Sequence, residues 1–155
     1  DAQSGYEKGS TLVMAGLSGL NMVYEAAGMH ASLLGFCLES LIIDNDMLGP
    51  CMRCVRGIEV NETTLDMQVM KDVCIGGPGH YLGHEQTISL MQTEYIYPEI
   101  GDRSSPKEWE ELNKPNLVET AIKRKQEILD NFHPTHLSAE LDADLRSKFR
   151  ILLDA

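Results

Sequence analysis

Phe36-Cys37-Leu38-Glu39-Ser40-Leu41-Ile42-Ile43 is the stretch on which the fold class turns. An apolar run this short suits a buried strand or one face of a helix, and periodicity alone does not separate them. It reads as a strand, with helix a close rival. Upstream, Asn21-Met22-Val23-Tyr24-Glu25-Ala26-Ala27 reads as a shorter strand ended by Gly28. Residues 3–18 carry Tyr6, Leu12, Val13, Ala15, Gly16 and Leu17 at helical spacings, with small residues that permit close packing against a sheet. Downstream, Asp44 or Asn45 caps a helix that runs to about Arg56 and stops at Gly57. Pro50 lies inside it and predicts a kink or a later start.

Beyond Gly57 the pattern is helical throughout. Residues 63–74 place Leu65, Val69, Met70 and Val73 on one face. A further helix starts near His84 or Glu85. Ser105-Pro106-Lys107-Glu108 carries a cap, a first-turn proline and a capping-box glutamate. Pro115 opens a long helix to about Phe132, and Ser138 caps a last one with Leu141, Leu145, Phe149 and Leu152 at near-fourfold spacing. Strand–helix alternation followed by helices alone predicts an α/β, predominantly helical chain: the last units of an α/β barrel with a helical tail. The division is residues 1–57 as barrel units, 58–132 as a helical extension and 133–155 as a C-terminal helix.

The net charge is -11 over 155 residues, which disfavours nucleic acid and anionic membrane surfaces as partners. No apolar run approaches the roughly 18 residues of a membrane span, and no signal-peptide pattern is present. The opening at Asp1 within a helical pattern is what an excised fragment would show. The four cysteines, Cys37, Cys51, Cys54 and Cys74, are too sparse for a secreted mini-domain and read as reduced thiols of a cytoplasmic protein. Cys51-Met52-Arg53-Cys54 is a C-x-x-C, so a zinc reading with His80 and His84 stays open.

Two constellations carry candidate chemistry. Gly76-Gly77-Pro78-Gly79-His80-Tyr81-Leu82-Gly83-His84-Glu85-Gln86-Thr87 sets two histidines, a tyrosine and a glutamate in a glycine frame. It admits helix capping, a substrate or cofactor contact, a metal, or a phosphate at the helix start. The second is Tyr6, Glu7, Tyr24, Glu25 and Glu39, in the least charged part of the chain. Carboxylates and tyrosine faces there suit a cationic ligand; the plainer alternative pairs Glu25 or Glu39 with Arg53 or Arg56. Lys123-Arg124-Lys125 reads as a solvated helix surface, and Trp109 as the anchor of its short helix.

Asp1-Ala2-Gln3-Ser4-Gly5-Tyr6-Glu7-Lys8, Ala26-Ala27-Gly28, Ile43-Asp44-Asn45-Asp46-Met47-Leu48-Gly49, Arg56-Gly57-Ile58-Glu59-Val60, Gly77 with His80 to Thr87, and Tyr97-Pro98 with Asp102-Arg103 and Trp109 occur in one order. In that order they resemble the trimethylamine:corrinoid methyltransferase family, whose non-pyrrolysine members act on glycine betaine and similar quaternary amines. The resemblance covers about residues 1–132 and only the C-terminal part of a (β/α)8 barrel of roughly three times this length. It departs at Pro78, inserted among the glycines. It implies methyl transfer from a small methylated amine to the Co(I) of a corrinoid carried on a cognate corrinoid protein. Tyr24, Glu25 and Glu39 are then the candidate substrate-binding groups, and His80, Tyr81 and His84 the candidate corrinoid-facing groups. No metal is implied in the chain itself. The rival classes are a non-catalytic module that self-associates as a homo-oligomer, and the zinc protein.

Overall fold

The computed structural model describes residues 1–134 and 136–152, and it is predominantly helical. The first helix, α1 (Ala2–Leu17), starts where Asp1 accepts a hydrogen bond from the Ser4 N–H at 3.1 Å. Such an acceptor satisfies one of the donors that a helix start leaves unpaired. Gly16 brings α1 close to α2 (Leu38–Arg56): a side-chain carbon at Gly16 would collide with Val55. The small residues expected against a sheet thus lie against a helix.

The expected strand at 36–43 is corrected here, because from Leu38 onward it is the start of α2. Ser40, Ile43, Asp44, Met47 and Cys51 are among its buried or half-buried positions. They recur at three- and four-residue steps, the helical period. That period extends past Ile43, so the eight-residue window hides it. Glu39 in the first turn also complements the helix dipole. The helix continues through Pro50 and starts earlier, not later, than expected.

The expected strand at 21–27 is absent as well. Asn21 to Glu25 are exposed, and Glu25 is left-handed at φ 61, which a strand does not accept. The sheet instead lies just downstream: β1 (Met29–His30) and β2 (Gly35–Phe36), antiparallel, with Met29 opposite Phe36 and His30 opposite Gly35. No parallel strand pair occurs among the described residues. Ala31, Ser32 and Leu33 turn the hairpin in successive left-handed conformations, φ 51, 54 and 69, and the Leu34 N–H donates to the Ala31 carbonyl at 3.1 Å.

The helix expected at 63–74 is two, α3 (Glu62–Leu65) and α4 (Met67–Cys74). Asp66 breaks them at φ 29, and its carboxylate caps α4 through the Val69 N–H. The remaining helices agree closely with the sequence signals. They are α5 (Glu85–Glu94), α6 (Pro106–Glu111) with its capping box, α7 (Leu117–Asn131) capped by Asn116, and α8 (Ala139–Lys148) capped by Ser138. Leu152 lies beyond the end of α8. Trp109 anchors α6 by donating from Nε1 to the Pro115 carbonyl at 3.0 Å.

Helix α2 is the spine, packed against both α1 and α7. Cys51 and Ala121 are buried in these helices, Val69 and Val73 in α4, and Ile100 in the loop after α5. Asp44 is 4 % exposed. It accepts hydrogen bonds from Lys8 Nζ of α1 and from the Gly28 N–H at 2.8 Å. One carboxylate therefore ties α1, the loop before β1, and α2. Asp46, half a turn on, accepts from the Glu99 and Gly101 N–H groups at 2.7 and 3.0 Å and holds the loop after α5.

Candidate functional site

The two constellations lie on different supports. The Asp44 tie sets the loop before β1 beside α1, and a cleft of about 380 Å³ opens there. Glu7 and Lys8 of α1, Glu25 of the loop and His30 of β1 are among its lining groups. Lys8 is already paired to Asp44. With Asp1 capping α1, the charged side chains left to a ligand are Glu7 and Glu25, so the cleft favours a cation. Glu7 accepts from Gln3 Nε2 at 2.9 Å, which holds its carboxylate on the helix surface. His30 was not anticipated; its Nε2 lies 2.6 Å from Ser40 Oγ. A lone histidine in an apolar stretch was its only signal.

Tyr24, the second substrate candidate, is 75 % exposed beside Glu25. Glu39 is committed elsewhere. Lys125 of α7 donates to its Oε1 at 2.8 Å, and this hydrogen bond first, then its backbone N–H and the Cys37 thiol, holds the Glu39 carboxyl down at about 2. Its partner is thus Lys125 of the stretch read as a solvated surface, not Arg53 or Arg56. Those arginines both donate to one oxygen of Glu94, at 2.8 and 2.7 Å, and fasten α5 to α2.

The glycine loop closes α4 and opens α5. A side chain on Gly77 would collide with the Asp72 carbonyl, and the Gly79 N–H donates to the Val73 carbonyl at 3.1 Å. Glycine is needed there because the loop folds back over the end of α4. His84 caps α5, its Nδ1 accepting from the Gln86 N–H at 3.2 Å. Gln86 in turn donates to Asp66 Oδ2 at 2.8 Å and ties the start of α5 to the start of α4. The Tyr81 hydroxyl lies 3.6 Å from Cys74 Sγ; that contact, then desolvation, raises its pKa. His80 is exposed. Of this trio, His84 has a structural duty, whereas His80 and Tyr81 face outward.

The zinc reading is corrected by this geometry. No group of three or more potential ligands forms among the described residues. Cys51 is buried, with its thiol pushed up first by that burial, while Cys54, one turn on, is exposed. All four cysteines are free thiols. No helix among the described residues is long and apolar enough to cross a membrane.

A helical chain with a cation-favouring cleft between the start of α1 and the β1–β2 hairpin is the class that the fold and site define. Comparison with known proteins makes it specific. The trimethylamine methyltransferase (MTTB) family matches residues 1–150, and the chain belongs to that family. The match extends beyond residue 132, through α8. The glycine betaine methyltransferase of Desulfitobacterium hafniense (strain Y51) is 32 % identical over 147 residues, 95 % of this chain and 30 % of the relative. The trimethylamine methyltransferase MttB of Methanosarcina barkeri (strain Fusaro / DSM 804) is 31 % identical over 95 % of this chain and 29 % of its own. MttB1 of Methanosarcina mazei is 30 % identical over 99 % of this chain and 30 % of its own. The chain therefore spans about three-tenths of the length of these curated relatives.

Proposed function

We propose that this chain supplies the C-terminal part of a cytoplasmic corrinoid-dependent methyltransferase acting on a tertiary or quaternary amine of the trimethylamine or glycine betaine type. The observation that carries the reading is the family match over residues 1–150, with relatives named for those two substrates. In this reading residues 1–57 belong to the last units of a (β/α)8 barrel, residues 58–132 form the helical extension, and α8 is the C-terminal helix. The acceptor is a corrinoid on a separate cognate protein, and it supplies the nucleophilic Co(I).

The chain's own residues have a limited task. A quaternary amine departs as a neutral tertiary amine, keeping the bonding pair on nitrogen, so no proton donor is needed at that step. What remains is to hold the cation, exclude water and align the C–N bond. Glu7 and Glu25 neutralise the cation in the cleft, and the exposed Tyr24, next to Glu25 but outside the lining, offers it an aromatic face. Glu39 acts from behind, by fixing α2 to α7. His80 and Tyr81 meet the corrinoid protein, on a loop whose position His84 sets by capping α5.

The test is methylation of free cob(I)alamin by the full-length polypeptide across a panel of tertiary and quaternary amines. Turnover with at least one is expected, and no turnover with any overturns the reading. Glu7→Gln with Glu25→Gln raises KM for the amine about tenfold or more while kcat changes little, as loss of uniform binding does. An unchanged KM removes both carboxylates from the substrate site.

A further inference from the structure

Left-handed backbone is unfavourable for a residue with a side chain, because its Cβ crowds the carbonyl that follows. Among the described residues seven non-glycines adopt positive φ: Glu25, Ala31, Ser32, Leu33, Asp66, Asn113 and Lys114. The first four all line the cleft beside α1. Strain of this kind gathers at ligand clamps and switch segments, where the surrounding structure holds it in place.

The hairpin is fixed at its base and free at its tip. Gly28 is buried, with its N–H bound to Asp44 and its carbonyl accepting from the Cys37 N–H at 2.9 Å. His30 Nε2, 2.6 Å from Ser40 Oγ, ties β1 to α2. Ala31 to Leu34, by contrast, are exposed, Leu34 at 90 %. Strands of two residues lend such a tip little stability. The turn is closed by the Leu34 N–H donating to the Ala31 carbonyl at 3.1 Å. One such bond in water contributes little against three successive left-handed residues.

We propose that residues 31–34 are a strap that closes over the cation held by Glu7 and Glu25, and that the left-handed turn is its closed form. The proposal rests on the amine reading of the cleft and adds how the site shuts. An open strap relaxes Ala31, Ser32 and Leu33 out of the left-handed region. Closure strengthens binding in two ways. It brings the Ala31 and Leu33 side chains to the cleft wall, where the methyl groups of an onium lie. It also removes water from the two carboxylates, so that their attraction for the cation is less screened. The cation therefore binds the closed form better than the open one, and that difference shifts the population.

Titration calorimetry of the 155-residue chain with tetramethylammonium tests this, because apparent affinity scales with the closed fraction. Ser32→Gly, which removes the left-handed penalty, is expected to lower the dissociation constant about threefold or more. Ser32→Val, β-branched at φ 54, raises it about tenfold with helix content unchanged by circular dichroism. Asn113→Gly and Asn113→Val, at φ 61 but outside the cleft lining, leave it unchanged. In the parent, tetramethylammonium slows amide exchange at Leu34, whose N–H closes the turn. No binding, the same affinity in both Ser32 variants, an equal response at Asn113, or Leu34 exchange indifferent to the cation each overturns the proposal. The methyl-transfer reading is judged by cobalamin methylation with the full-length polypeptide, so the two fail on different measurements.

Discussion

Asp44 shows how much one side chain organises here. Its carboxylate is buried and holds the Lys8 ammonium and the Gly28 N–H together. Removing one partner of a buried pair leaves the other charge without compensation. Asp44→Ala is therefore expected to cost about 3 kcal/mol in urea unfolding, and Lys8→Met on that background to recover part of it. A loss below about 1 kcal/mol would reduce the tie to a surface ion pair. Glu39 makes a pH-dependent case. Its folded pKa is lowered from the ordinary 4.5 to about 2, led by the Lys125 hydrogen bond. A depressed carboxyl pKa stabilises the fold above the unfolded value, and that contribution fades as pH falls through the folded one. The stability difference between the parent and Glu39→Gln is expected to be constant above pH 4.5 and to shrink progressively towards pH 2. A difference unchanged over that window would detach Glu39 from Lys125. Neither partnership was legible beforehand. Asp44 looked like a helix cap, and the Glu39–Lys125 pair joins residues 86 positions apart.

Helix starts were the legible part at the scale of the element. Ser105, Ser138 and His84 cap the helices that their local sequence announced, since capping is a contact within one turn. Pro115 pointed to α7, whose cap is the next residue, Asn116. The failures were the strands. Residues 36–43 became helix because the inward period of α2 continues to Cys51 and is concealed in a shorter window. Residues 63–74 divided because Asp66 took a cap conformation that no apolar pattern encodes. The approach of α1 to α2 is testable at Gly16. Gly16→Ala gains up to about 1 kcal/mol of helix propensity but collides with Val55, a β-branched and stiff neighbour. Overpacking of this kind typically costs about 1–3 kcal/mol, so a net lower melting temperature is expected by circular dichroism. A higher one would mean that the two helices separate freely.

In the whole molecule, α2 with α1 and α7 forms the ordered centre, and residues 17–25 are a wholly exposed stretch beside it. Amide exchange should follow that division, slowest around Cys51 and Ala121 and fastest in residues 18–27 and in α8. Uniform exchange along the chain would contradict a helical centre built on α2. The candidate site divides in the same way. Glu25 was selected from its sequence setting, and the fold did bring it to a cleft with Glu7. His84 was selected with it, but it serves the helix that follows. By itself, the sequence determined the starts of α5, α6, α7 and α8, the absence of a long apolar span and the family, because caps act within a turn and the other two rest on composition and motif order. The tertiary structure alone decided which carboxylates remain available. Glu39 and Asp44 are taken by lysines far away in the chain while Glu7 and Glu25 share the cleft, and charges meet only when packing brings their helices together.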